Sequence, residues 1–342
     1  MNYNNVLIQA SSQYLPEKHL SSDDIEYHLK DVYQKLKLPF GRLELMTGIQ
    51  RRGYWEPGTR PSDLSTNAAN ILLEENSIDP QEIDLVIHCS VCRDFLEPAT
   101  ASVIHSNLNL RKDCLMFDLS NACLGVLNAV IIASNMIESG LIKKALLVSG
   151  ENSGPLLWDT INHLKKDQTL TRKTIKKYLA NFTIGSAGSA WLLSHKEQGD
   201  GHQIMGGAQL TDSTANHLCQ GGGNTNSLMM ETDATKLLEV GLKLAKETWH
   251  LMLKNLNQSA FHFDYFVPHQ VGRAHEQGLS QALEIDQKKI ISTFPFMGNT
   301  GSAAVPTAFD HLIRSKEISG KQVALLGIGS GLSSIMLGVK CR

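Results

Sequence analysis

Aromatic residues make up only 6% of the 342 residues, and neither charge sign is in excess: 32 Lys and Arg stand against 34 Asp and Glu. The balance excludes an extended cationic footprint, so no nucleic-acid partner is expected. Long apolar runs are also missing. The longest, VLNAVIIASNMIESG, is broken by Asn128, Ser134 and Asn135 and is too short and polar to cross a bilayer. The first twenty residues lack the basic start and apolar stretch of a secretory leader, so a cytoplasmic protein with no stable membrane insertion is expected. Cysteine is scarce: Cys89, Cys92, Cys114, Cys123, Cys219 and Cys341 are too few to staple such a chain, and a reducing compartment keeps them as thiols. Cys89 and Cys92 form a lone C-x-x-C with no second pair to complete a zinc site, and no metal is expected.

At 342 residues the chain is longer than one hydrophobic core usually serves, which suggests two subdomains, and its 42% hydrophobic content is that of an ordinary compact globule. Strand-like apolar runs recur at 84–90, 114–120, 144–150, 187–195, 263–269, 289–294, 322–329 and 333–339. Helical patterns lie between many of them, at 65–76, 99–109, 124–139, 234–257 and 301–315. This alternation predicts an α/β protein with buried, largely parallel sheets. The two parts also look alike: IDLVIHCSVCRD and FDYFVPHQVGRA each run from a strand to a polar end and then a helix. A duplication with its seam at 195–203 divides the chain into halves 1–195 and 196–342. Residues 211–233 carry three successive glycines and little periodicity, the pattern of a long surface loop, and such loops often serve sites.

The stretch DLSNACLG places Cys123 in a small polar knot directly before a helical run. Ser120 or Asn121 can cap that helix, and a thiol at its positive end is expected to have its pKa lowered toward the thiolate. Cys123 is therefore a candidate nucleophile, although the local pattern also suits a buried small residue in a strand–helix turn. Two further strand-to-helix turns carry His269, in VPHQVG, and Asn299, in GNTGSAAVP. A neutral imidazole Nε2 and an amide NH2 can together donate to one thioester oxygen as it gains negative charge.

DLSNACLG, VPHQVG and GNTGSAAVP, in that order, resemble the three active-site signatures of the thiolase-superfamily condensing enzymes, ketoacyl synthase III branch. The resemblance extends from LELMTGIQRR near the start to GIGSGLSS near the end. It implies the thiolase-like five-layered αβαβα fold built from two similar halves, a homodimer, and acyl-CoA or acyl-carrier protein as partner, with no cofactor. By the same resemblance Cys123 takes an acyl group from a thioester, His269 and Asn299 stabilise the enolate oxygen of the second substrate, and the backbone N–H of Ser330 joins that of Cys123 as an oxyanion hole. The family usually shows a run of glycines where Ser330 stands.

Glu97 lies 26 residues before Cys123 in SVCRDFLEPATASV. Decarboxylating relatives generally carry an apolar residue on this loop, which reaches into the partner's acyl pocket. A carboxylate is costly there unless it is paired or used. The segment resembles the OleA-type acyl-CoA condensing enzymes, in which a glutamate of the neighbouring subunit is the base. SGENSGPLL and TLTRKTIKKYLANFTIGSAG resemble the same branch. Its reaction joins two long acyl-CoAs without prior loss of carbon dioxide, a non-decarboxylating Claisen condensation by an acyltransferase. Arg51 and Arg52 match a region near the pantetheine mouth. Arg172, in the basic run HLKKDQTLTRKTIKKY, is a further candidate for coenzyme A phosphates, although such a run also suits a solvated helix face. Glu151, at a strand end, reads as structural and hydrogen-bonded. Two rivals share the fold: a decarboxylating β-ketoacyl-carrier-protein synthase III, marked by malonyl-dependent carbon dioxide release, and a non-catalytic acyl-binding member, marked by failure of Cys123 to be acylated. Thiolytic cleavage is disfavoured, because GIGSGLS lacks the second cysteine that thiolases use.

Overall fold

The computed structural model describes residues 1–223 and 228–342. Its strands are β1 (Val6–Tyr14), β2 (His19–Ser21), β3 (Arg51–Gly53), β4 (Leu85–His88), β5 (Leu115–Asp118), β6 (Lys144–Glu151), β7 (Ala187–His195), β8 (His202–Thr211), β9 (Cys219–Gly223), β10 (Leu228–Thr232), β11 (Tyr265–Pro268), β12 (Gln322–Gly329) and β13 (Ser333–Lys340). Nine of them form one sheet in the order β11-β12-β13-β8-β1-β7-β6-β4-β5. The sheet is two runs joined at a narrow seam, where β1 and β8 pair only through Leu7–Gln203 and Ile8–His202. In the first run β5, β4 and β6 are parallel, and β7 and β1 follow antiparallel. The second run repeats this order and sense: β11 and β12 are parallel, then β13 and β8 antiparallel.

Largely parallel sheets were expected, and that is corrected: five of the eight adjoining pairs are antiparallel. Parallel pairing needs a long crossover, and only the strands toward the outer end of each run have one. The strand expected at 289–294 is reduced to one parallel bridge, Phe266–Ile290, between a 3-10 turn and the short helix Phe294–Met297.

Burial explains the layers. β4, β6 and β7 are apolar on both faces because helices cover both. The helices Gly125–Glu138 and Ala304–Ser315 share one core with inward residues of both runs, including Ile87, Leu147, Trp191, Leu325 and Leu337. The opposite face of the first run packs on the helices Pro61–Glu75 and Thr100–Asn107, through Leu72, Ile104, Val86 and Leu192. That of the second packs on Ala234–Leu256 and Arg273–Leu283, through Trp249, Leu279, Ala324 and Met336. Helix, sheet, helix, sheet and helix layers follow, the thiolase-like arrangement.

Two central strands were missed at the sequence level, for physical reasons. In β1 Ser11 and Ser12 face helices, not water, and are satisfied by Asp310 Oδ1 at 2.7 Å and the Ala68 carbonyl at 2.6 Å. In β8 Gly206 and Gly207 dilute the strand signal, yet a Cβ on Gly207 would sit 1.9 Å from the Met336 carbonyl of β13. The stretch read as a loop at 211–233 holds regular structure in its described residues: a 3-10 turn, Ser213–Leu218, leads into the antiparallel pair β9–β10. Within it, 224–227 lie outside the described residues.

Candidate active site

One cavity of about 1190 Å³ draws its lining from both halves of the chain, and Cys123, His269, Asn299 and Ser330 all line it. Cys123 sits in the turn between β5 and the helix Gly125–Glu138, directly after Ala122, whose φ of +46° is rare for a residue with a Cβ. The cap foreseen from Ser120 or Asn121 is absent, since Asn121 Nδ2 donates instead to Asn128 Oδ1 at 2.7 Å. The cap comes from the other half: the Val126 N–H donates to Ser302 Oγ at 3.0 Å. Gly125 permits this approach, because a Cβ there would lie 2.8 Å from Ser302 Oγ and 2.9 Å from the Cys89 carbonyl. The expected lowering of the thiol pKa is also corrected. Burial, then the neighbouring Glu151 and Cys219, push Cys123 up to about 12, so desolvation outweighs the helix dipole.

His269 follows β11, and its backbone N–H is held by the Leu326 carbonyl at 2.8 Å. Burial, and after it His275, drive its pKa down to about 3, so the ring is neutral. Nδ1 is buried with no partner among the described residues. A proton there would find no acceptor, which favours the tautomer protonated at Nε2. Asn299 is held by its backbone, donating to the Thr183 carbonyl at 2.7 Å and accepting from Gly185 at 2.8 Å. Its Oδ1 accepts the Gly301 N–H at 3.0 Å, which leaves the amide NH2 for a ligand.

Two residues of this machinery carried no separate signal in the sequence. Gln270 donates to the Pro268 and Ile291 carbonyls at 2.7 and 3.0 Å and accepts from Thr293 and Phe294 at 2.8 and 3.1 Å, tying the His269 turn to the segment that leads to Asn299. Ser302 is the other, as the cap described above. Both lie inside motifs already noted. Their work is visible only once the distant backbone groups are beside them.

Glu97 is exposed on the loop 91–98 and does not line the cavity of its own chain. Its loop neighbour Leu96 is 95% exposed. The arginines are corrected. Arg52 is fully buried, donating to the Leu20 carbonyl at 3.2 Å and Ser22 Oγ at 3.0 Å, so it cannot meet a phosphate. Arg172 donates to the Leu36 and Lys37 carbonyls at 2.6 and 2.5 Å, and Arg51 is exposed; neither lines the cavity. The cationic side chains that do are Arg93 and Arg273. β9 and β10 supply a wall through Cys219, Met229 and Met230, so the glycine-rich stretch does serve the site. Among the described residues no group of His, Cys, Asp and Glu is arranged to hold a metal ion, and no helix is long and apolar enough to cross a membrane.

The family model for 3-oxoacyl-[acyl-carrier-protein] synthase III matches residues 117–164, and that for its C-terminal part matches 253–340. The chain is 36% identical to an acyl-CoA:acyl-CoA alkyltransferase of Shewanella oneidensis, over 99% of this chain and 100% of that one. It belongs to the OleA type of ketoacyl synthase III-like condensing enzymes, which are acyltransferases. A solved Xanthomonas campestris OleA with bound lauric acid and lauroyl-CoA superposes with a TM-score of 0.94 at 33% identity, covering 99% of both chains. Solved variants of that OleA replace one cysteine, one glutamate and one histidine. Its glutamate precedes its cysteine by 26 positions, the interval from Glu97 to Cys123 here. A beta-ketoacyl-[acyl-carrier-protein] synthase III of Neisseria meningitidis is more distant, at 26% identity over 95% of this chain and 96% of that one.

Burial of histidine in this OleA-type core has a measurable consequence. The pKa values of His88, His269 and His275 are all lowered by burial, while in the unfolded chain each titrates near 6.5. Below that pH the unfolded state binds protons that the folded state refuses. Stability is therefore full above about pH 6.5 and is expected to fall between 6.5 and 5 by up to ~4 kcal/mol per pH unit, three protons at ~1.36 each. Glu151, whose pKa is raised by burial, offsets part of this. Urea midpoints at pH 7, 6 and 5 check the slope, and a flat profile contradicts it.

Proposed function

We propose that the protein joins two fatty acyl-CoAs head to head, without decarboxylation, to give a β-ketoacyl-CoA and free CoA. The observation that carries this reading is the cavity of about 1190 Å³ around Cys123, larger than the roughly 300–1,000 Å³ of common small-molecule sites. Its wall includes Leu156, Met229, Met230, Leu237, Leu238 and Leu332, with room for two acyl chains around Cys123. The Cys123 sulfur attacks the first thioester, and CoA leaves as a thiol, taking up the proton. The carbonyl oxygen of the second acyl-CoA accepts hydrogen bonds from His269 Nε2 and Asn299 Nδ2. Glu97 of the partner protomer removes the α-proton, and the resulting carbanion attacks the acyl-Cys123 carbon. The tetrahedral oxygen is held by the backbone N–H groups of Cys123 and Ser330, after which the Cys123 sulfur departs and is reprotonated.

The dimer this requires is part of the proposal. Its support is the edge strand β5, where Leu115 and Met116 are exposed, and the neighbouring loop with Val91, Phe95 and Leu96 exposed. The duplicated topology supports two halves, 1–195 and 196–342, one contributing Cys123 and the other His269 and Asn299. A cytoplasmic place in lipid metabolism fits such substrates. A second reading, condensation of acyl-CoA with malonyl-carrier protein, draws on the family-model matches. The purified protein is given myristoyl-CoA alone, and a mass spectrum carrying two whole acyl chains is expected. Free CoA and acyl-enzyme with no such product would favour malonyl-carrier protein as second substrate.

A further inference from the structure

Glu151 ends β6, a strand buried along its whole length, and the side chain is itself buried beside the cavity. A carboxylate is tolerated there only with its oxygens engaged. Oε1 accepts the backbone N–H of Val91 at 2.9 Å and of Ser302 at 3.1 Å, and Oε2 accepts that of Cys92 at 3.2 Å. These donors belong to different halves of the chain. Val91 and Cys92 open the loop that runs to Glu97, whereas Ser302 closes the turn that carries Asn299 and also caps the nucleophile helix. The turn is pressed against the carboxylate: Gly301 has φ +57°, and a Cβ there would lie 3.0 Å from Glu151 Oε1. The Glu151 charge also reaches Cys123, whose thiol it helps to push up.

We infer that Glu151 is a positioning residue for condensation, one carboxylate that sets the Glu97 loop and the Asn299 turn relative to Cys123. This role presupposes the two-acyl condensation proposed above. Glu97 would then act in the partner's cavity and Asn299 in its own, so each Glu151 serves two sites. A side chain that merely fills space needs no such set of amides. The carboxylate can take all three because each oxygen has two lone pairs.

Glu151→Gln separates the two ends of this link. Glutamine has one carbonyl oxygen, and its best orientation keeps Val91 and Ser302 on Oε1. The NH2 then faces the Cys92 N–H, donor against donor, and the loop is released while the turn stays. With myristoyl-CoA, first-turnover acylation of Cys123 is expected to stay within about twofold of wild type. Condensation should fall about 10- to 100-fold, the usual penalty for a group displaced by about 1 Å. Hydrogen–deuterium exchange of intact protein should speed up at 91–98 and not at 300–303. Unchanged condensation would reduce Glu151 to packing, and an equal loss of acylation and condensation would place its action at the nucleophile; either overturns the inference. Should the variant fail to fold, wild type still decides: the Val91 and Cys92 amides must exchange slowly, and rapid exchange overturns the role. A wild type that needs malonyl-carrier protein would sink the two-acyl reading instead. The acylation-to-condensation split, measured with that donor, would then still test Glu151.

Discussion

Cys123→Ala takes up no acyl group: after incubation with myristoyl-CoA its intact mass stays that of the free protein, while wild type gains one myristoyl. The expected loss of product formation is on the order of 10⁴- to 10⁶-fold, the scale seen when an active-site nucleophile is deleted. The test is discriminating because Cys92 and Cys219 line the same cavity. Neither is placed as Cys123 is. The Cys92 thiol is pushed well up by burial and by Glu151, and its Sγ rests 3.8 Å from the Asn152 carbonyl. Cys219 accepts a hydrogen bond from Thr232 Oγ1 at 3.4 Å. Of the three, only Cys123 stands at the start of a long helix, behind a left-handed residue, in a cavity whose wall it shares with His269 and Asn299. An equal mass gain on the mutant would remove it from the mechanism. The raised pKa of the thiol means that the free site does not hold it as a thiolate. A thioester drawn into the oxyanion hole supplies the compensating interaction only when there is charge to stabilise.

Glu97→Ala still acylates Cys123 but fails to condense, with product formation lowered by about 10²- to 10⁴-fold, the usual share of a general base. Stability of the protomer fold should change by less than ~0.5 kcal/mol, because Glu97 is exposed in its own chain and packs on nothing there. The combination matters. Lost condensation with retained acylation and an unchanged urea midpoint locates the defect in proton removal. Condensation at the wild-type rate would make Glu97 a structural loop residue. The common spacing of 26 residues between glutamate and cysteine, here and in the Xanthomonas campestris OleA, motivates the experiment.

How far these residues could be read in advance depended on whether their environment was local. Strands buried on both faces, such as β6 and β12, announce themselves through unbroken apolar runs. The same rule hid β1, because its serines are satisfied by helices far away in sequence, and β8, because Gly207 stands against β13 and Gly206 against Met1 and Asn2. The arginines failed for a related reason. A guanidinium in the sequence looks free to meet a phosphate, whereas Arg52 folds inward onto Leu20 and Ser22, and Arg172 onto the end of a neighbouring helix.

The sequence by itself determined the order of the three turns bearing Cys123, His269 and Asn299, the duplicated alternation of strands and helices, and the spacing that singles out Glu97. These are matters of residue type and interval, written along the chain. Only the tertiary structure decided the rest: that Ser302 caps the nucleophile helix, that Glu151 ties two halves together through three amides, and that burial raises the Cys123 thiol instead of lowering it. Desolvation and the pairing of buried polar groups depend on what lies across the fold, and no interval along the chain encodes that.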